Sequence, residues 1–253
     1  GTLDASEQRN EVALFGRPVL VEGRFGKALA LSGHDDWVEV YRSPNLDITG
    51  DKLTVEGWVY PRGWNGDGSF ITKGSRQYGL IQKDEKNLEF YLHAGAGASV
   101  QAPVPENWDH QWHHLAGVYD GATLKLYIDR TLAATAGHSG RINAGSYPVC
   151  IGKDAEKHGQ DHPGQLCNAI IDEIRIYPRA LSRSELTEEW AALEEQRVKG
   201  KDKTRWVTGR SGLRTQGASL HLRFDEIEAK GDFFSLGIGA RPYGLVWPDR
   251  KVQ

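Results

Sequence analysis

His114-Leu-Ala-Gly-Val-Tyr119, then Asp120-Gly121, then Leu124-Lys-Leu-Tyr-Ile128 is the stretch on which the fold turns. The second run alternates apolar and polar residues, the period of a strand with one face buried. Asp-Gly between two such runs is the strongest short-range signal for a hairpin, so the two runs pair antiparallel. The pattern repeats on both sides. Asp36–Tyr41 sets Val38 and Val40 on one face and Glu39 on the other, and Leu53–Tyr60 stops at Pro61. Leu88–His93 ends in a Gly-Ala run, and Ile170–Tyr177 closes the series before Pro178. Short strands spaced by turn residues, with no helical period between them, predict an all-β fold. The architecture expected is an antiparallel two-sheet β-sandwich or jelly roll, not a βαβ unit.

The composition agrees. Glycine makes up 30 of 253 residues, about 12%, against a usual ~7%. That excess suits many turns and close backbone approaches. With 31 Lys+Arg against 34 Asp+Glu, the net charge of −3 gives no electrostatic footprint for nucleic acid. No run of ~18 apolar residues spans a membrane. A core of this length needs no disulfide framework or structural metal. The sequence contains no Met and no signal peptide before Gly1, so a mature, trimmed or excised chain is expected.

After residue 181 the pattern changes. Ser182 and Glu185 form a capping box, and Leu186, Trp190 and Leu193 follow at helical spacing. Glu194–Lys203 reads as the helix end and a solvated linker. The domains expected are therefore a sandwich over 1–181, a helix and linker over 182–203, and a tail over 204–253. The tail holds a short strand at Leu220–Phe224. Fifty residues do not build a core alone, so the tail docks on the sandwich or belongs to an absent neighbour.

Several blocks carry a family resemblance. Phe25–Gly33, Asp35–Val38, Leu53–Val59, Trp112–Gly121 and Leu126–Asp129 resemble laminin G-like jelly rolls of the concanavalin A-like superfamily. Ile151–Lys153 and Ile171–Ser182 continue the match in order and spacing, so it covers about residues 2–190. The resemblance implies an accessory module of secreted bacterial carbohydrate-active enzymes, serving glycan binding or domain packing. Separately, Tyr243–Arg250, approached by Phe233–Gly239, resembles the end of the catalytic barrel in family 2 glycoside hydrolases of the β-galactosidase type. That implies a parent enzyme whose two catalytic glutamates lie outside this chain, and a secreted or periplasmic location.

Candidate chemistry is sparse. The paired carboxylates that jelly-roll glucanases carry on one strand face do not occur: Glu56 is alone on its strand, and Asp172 and Glu173 are neighbours expected on opposite faces. No catalytic residue is assigned. Period-2 counting puts Asp172 on the apolar face with Ile170, Ile174 and Ile176. A buried carboxylate there requires backbone amides, an arginine or a Ca²⁺ ion as partner. The resemblance implies that such a Ca²⁺ clips the first and last strands together, with Asp35 and Asp36 as co-ligands. Sugar binding needs exposed aromatic faces among polar groups. Trp58 and Trp112 sit inside strand motifs and read as core. Trp64, in Gly63–Gly68, and Trp108, in Glu106–Asp109, lie in loops and are the candidate carbohydrate-binding residues, with Tyr78 third.

His110, His113 and His114 flank Trp112, but neighbouring strand residues point to opposite faces and do not share a zinc ion. His158, Asp161 and His162 form a weak cluster in a polar loop. Cys150 and Cys167 read either as a disulfide or as two buried free thiols. The Gly95-Ala-Gly97 and Gly237-Ile-Gly239 runs lack the context of a phosphate-binding loop. The function expected is a non-catalytic carbohydrate-binding or structural module whose partner is a glycan or the parent's catalytic domain. A laminin G-type protein adhesion module is the first alternative. A jelly-roll glycosidase using Glu56 or Asp172 is the second.

Overall fold

The computed structural model describes residues 3–159, 166–187, 190–191 and 217–224. Fifteen strands follow in chain order: β1 (Val12–Phe15), β2 (Val19–Glu22), β3 (Lys27–Ser32), β4 (Trp37–Val40), β5 (Leu53–Pro61), β6 (Gly68–Thr72), β7 (Tyr78–Asp84) and β8 (Asn87–Ala94). Then come β9 (Ala96–Pro103), β10 (His113–Tyr119), β11 (Thr123–Ile128), β12 (Thr131–Gly137), β13 (Val149–Ile151), β14 (Asn168–Tyr177) and β15 (Leu220–Leu222). One helical turn, α1 (Ala155–His158), precedes β14. The strands form two antiparallel sheets, ordered β1-β4-β13-β6-β7-β8-β9 and β12-β11-β10-β5-β14-β3-β2, with β15 added beside β14. The expected all-β jelly-roll sandwich is the observed fold.

The hairpin over Asp120-Gly121 joins β10 to β11, with Tyr119 opposite Leu124, and Gly121 takes the positive φ of 94° that the turn needs. Between the sheets lies the main core, where Val55, Val59, Leu115, Ile171 and Ile174 meet Leu80, Phe90 and Leu92. Burying each such side chain contributes roughly 1.5–3 kcal/mol. The sheets approach closely at Gly117, where a Cβ would lie 2.3 Å from the Phe90 ring.

The outer face of the eight-stranded sheet is also covered. Ala116, Val118, Tyr127 and Tyr177 pack on Leu181, Leu186 and Ala218, while Trp58 and Phe25 pack on Trp190. Hence β10 is buried along its whole length, the pattern of a strand with both faces packed. The cover begins at the expected capping box: the Glu185 amide donates to Ser182 Oγ at 3.2 Å, and the Ser182 amide donates to Glu185 Oε2 at 2.8 Å.

Part of the region set apart as a tail is built into this sheet. β15 pairs with β14 through Ile174–Leu222 and Ile176–Leu220, and Leu220, Leu222 and Phe224 are buried in the main core. Asp4 fastens the N-terminal segment beside it, accepting hydrogen bonds from the Ser6, Asn10 and His221 amides. The tail at 217–224 therefore docks on the sandwich. The segment at 233–250 that resembles family 2 glycoside hydrolases, the Gly237–Gly239 run, Leu193, the linker, Asp161 and His162 lie outside the described residues.

A bulge corrects the reading of the last strand. Four residues of β14, Asp172 to Arg175, lie against three of β5, Trp58 to Glu56, and Glu173 takes φ 51°. The extra residue breaks the two-residue count. Ile171, Ile174 and Ile176 face the main core, whereas Asp172 faces outward, and Glu173 joins Arg175 and His221 in the outer layer. Asp172 accordingly shares no face with Ile174 and Ile176, and Asp172 and Glu173 are not on opposite faces. Cys150 and Cys167 are free, buried thiols, the second of the two readings above.

Candidate functional site

Two loops and a turn meet at one edge of the sandwich. The β5–β6 loop carries Trp64, the β9–β10 loop carries Trp108, and the β7–β8 turn carries Glu85. Together with Gln82, Val104, Pro105, Glu106 and Asp109 they enclose a cleft of about 370 Å³. Trp64 is half-buried, and Glu85, Glu106 and Asp109 are exposed.

Each wall is held from behind. Trp108 is 4% exposed and donates its indole N–H to Gln82 Oε1 at 2.9 Å. Its ring stacks on His113 at 4.8 Å and meets Phe70 edge-on at 6.0 Å. Gln82 keeps its place because Gly68 lies opposite it in the ladder, where a Cβ would come within 2.7 Å of the Gln82 carbonyl oxygen. His113 bonds Asp129 through Nδ1 at 2.8 Å and the Asn107 carbonyl through Nε2 at 3.1 Å, so it ties the Trp108 loop to the β11–β12 turn. Burial pulls the His113 pKa down, but the Asp129 carboxylate and the backbone of Asn107 and Trp108 outweigh it, and the imidazole ends above its ordinary value.

The Trp64 loop is fixed in the same manner. Asn65 donates its side-chain amide to the Leu166 carbonyl at 2.6 Å. Asp67 accepts from the Ser69 amide at 2.9 Å and sits 2.7 Å from His158 Nε2. Burial raises the Asp67 pKa, and these partners with Lys157 overcome that, so its carboxylate is held below the usual range. The two loops are joined where the His110 amide donates to the Pro61 carbonyl at 2.8 Å.

The structure thus brings Trp64 and Trp108 to one cleft, Trp64 at its open side and Trp108 largely as its floor. Tyr78 is elsewhere: its ring is fully buried in the main core, so it presents no face to a ligand. Gln82, Glu85, Glu106 and Asp109 were missed; for Gln82 and Glu85 only the β6–β7 and β7–β8 pairings bring them beside the tryptophans. The polar flanks of Trp108 in Glu106-Asn-Trp-Asp109 were the available signal.

The carboxylates proposed for calcium are not gathered. Asp35 is exposed, and Asp36 Oδ1 accepts from the Ser32 amide at 2.7 Å. Asp172 Oδ2 accepts from the Phe25 amide at 2.9 Å. Ser32 pairs with Asn168, four residues from Asp172 along β14, which places the two carboxylates about 13 Å apart along the strand. Among the described residues no group of three His, Cys, Asp or Glu side chains is arranged to hold a metal ion. The donor set does not fit Ca²⁺.

A second collection of chemistry-bearing residues lies under the C-terminal cover. His114 Nε2 is 3.1 Å from Glu56, Arg175 is 3.0 Å from Glu173, and His221 Nε2 is 2.7 Å from Glu173. Trp190 closes the layer, with the Arg175 guanidinium 4.5 Å from its ring. Burial, then the Arg175 charge, lowers the His221 pKa. Glu56, Glu173 and Arg175 have no exposed side-chain surface, and Asp172 is 1% exposed, so none of them meets a substrate from solvent.

Comparison with known proteins agrees with this architecture. No curated protein is similar enough in sequence to be matched. Domain 4 of AbnA, a GH43 extracellular arabinanase from Geobacillus stearothermophilus, solved with arabinotriose, has 20% identity and a TM-score of 0.53 over 70% of this chain and 87% of that one. The binding domain of botulinum neurotoxin DC, solved with SialylT, has 14% identity and a TM-score of 0.57 over 74% of this chain. The binding domain of Paraclostridial Mosquitocidal Protein 1 has the same identity and TM-score. This chain spans about half the length of those two toxin domains, 47% and 48%. Among the described residues no helix is long and apolar enough to cross a membrane. Residues 32–187 match the family described as the concanavalin A-like lectin/glucanases superfamily, and the chain belongs to that family.

Proposed function

We propose that this module binds an oligosaccharide in the cleft between Trp64 and Trp108. The observation that carries this reading is the convergence of two loop tryptophans, from separate connections, on one cleft lined by Gln82 and three carboxylates. Sugar recognition asks for an aromatic face beside a few placed polar groups, and the cleft supplies both. The domain of the arabinanase that holds arabinotriose and the neurotoxin domain that holds SialylT support carbohydrate as the ligand class for such a sandwich.

The module serves a catalytic neighbour instead of cleaving sugars itself. Glu56 and Asp172, its two candidate acids, are sealed beneath the outer cover. The segment 233–250 supports a family 2 glycoside hydrolase of the β-galactosidase type as the parent. In that parent, retaining hydrolysis belongs to two glutamates outside this chain, and the setting is secreted or periplasmic. A glycan array tests the binding reading, with Trp64→Ala beside the native chain. Signal that disappears with Trp64 supports it. A blank array, or signal indifferent to Trp64, refutes it and leaves adhesion or a purely structural role. Sequencing the full gene tests the parent: a barrel without two such glutamates would refute that part.

A further inference from the structure

We infer that the cleft selects its glycan by charge, taking amino-bearing oligosaccharides most tightly, neutral ones less so, and rejecting those that carry carboxylate or sulfate groups. The inference rests on reading the cleft as the glycan site and adds the class of ligand it admits. Its lining contains Glu85, Glu106 and Asp109 and no lysine, arginine or histidine. All three carboxylates are exposed, and among the described residues none of them is in an ion pair. They come from two of the three connections that line the cleft, the β7–β8 turn and the β9–β10 loop.

Two nearby cations are paired elsewhere, and Lys86, exposed beside Glu85 in the β7–β8 turn, is not part of the lining. Lys83 pairs with Glu89 at 3.2 Å, and Lys157 with Asp67 at 3.1 Å. His113 lies behind the Trp108 ring, held by Asp129. An anionic sugar entering the cleft therefore meets three like charges and no cation in the lining. A sugar ammonium meets three acceptors, and the Trp64 face favours a cation further. Three unit charges acting through water at about 7 Å together change affinity by roughly twentyfold in each direction without screening and by about fivefold at 0.1 M salt. Salt weakens the effect, because the screening length falls from about 10 Å at 0.1 M to about 3 Å at 1 M.

The test is an array of neutral, amino-bearing and uronate-bearing oligosaccharides of matched linkage, read at about 0.1 M and about 1 M salt. The native chain, Trp64→Ala and the triple variant Glu85→Gln, Glu106→Gln, Asp109→Asn are compared. The expected result at about 0.1 M salt is an amino-bearing ligand held about fivefold tighter than its neutral counterpart and a uronate about fivefold weaker, with the ranking flattened by high salt and by the triple variant. Equal binding of uronate and neutral ligands, both lost in Trp64→Ala, would overturn charge selection and leave the cleft as the glycan site. Binding of no glycan, or binding that ignores Trp64, would overturn the cleft reading and this inference together. Unchanged melting of the triple variant shows that its altered ranking is not misfolding.

Discussion

The chain gathers tryptophans with carboxylates twice. Trp58 and Trp190 stand with Glu56, Glu173, His114 and His221; Trp64 and Trp108 stand with Glu85, Glu106 and Asp109. The residue types are alike and the physical situations are opposite. In the first group the side chains of Glu56, Glu173, Arg175 and His221 have no exposed surface and bond one another. In the second the carboxylates are open to water and one indole is half-exposed. Pairing and solvent access, not residue type, separate a structural layer from a binding site.

Four perturbations bear on that contrast, beginning with the largest. Arg175→Met removes the guanidinium 3.0 Å from Glu173 and 4.0 Å from Glu56, leaving Glu173 the more distant Arg223 at 3.8 Å, and breaking a buried pair from one side costs about 3–5 kcal/mol. Thermal unfolding is expected to drop by about 10 °C, since 1 kcal/mol moves a domain of this size by about 2–4 °C. Glycan binding below the transition is expected to persist. Loss of binding with intact stability would place function in the outer layer. Trp64→Ala should act in reverse: a half-buried loop residue changes stability by about 0.5 kcal/mol, while affinity for the oligosaccharide falls about thirtyfold, or ~2 kcal/mol.

The third perturbation is pH. Because the folded pKa of His113 is raised, its contribution to anchoring the Trp108 loop is complete below the ordinary histidine value of about 6.5 and fades as pH rises through the raised value. The stability difference between the native chain and His113→Gln is expected to shrink from about pH 6 to about pH 9. A difference that grows over that range would contradict the Asp129 pairing. The smallest effect expected is from a chelator. With Asp36 and Asp172 each held by a backbone amide, EDTA should leave the melting temperature unchanged, and a clear fall would reinstate a stabilising cation.

The strands and the hairpin at Asp120-Gly121 were legible because a period of two and a turn dipeptide are local properties. The capping box at Ser182 was legible for the same reason. The face of Asp172 was not, since a single extra residue at Glu173 separates it from the face of Ile174 and Ile176 and leaves no local mark. The place of Leu220 was open as well, because pairing across more than forty residues is decided by tertiary packing. At the site, Trp64 and Trp108 stood out by lying in polar loops, while Tyr78 stood out only by residue type and belongs to the core. Gln82, whose part is to fix the Trp108 indole, carries no signal in sequence at all.

Indole N–H resonances followed during titration with an oligosaccharide selected on the array test the central claim most directly. The account predicts shifts at Trp64 and Trp108, with Trp58 and Trp190 unmoved. Shifts at Trp58 or Trp190 with silence in the cleft would contradict it.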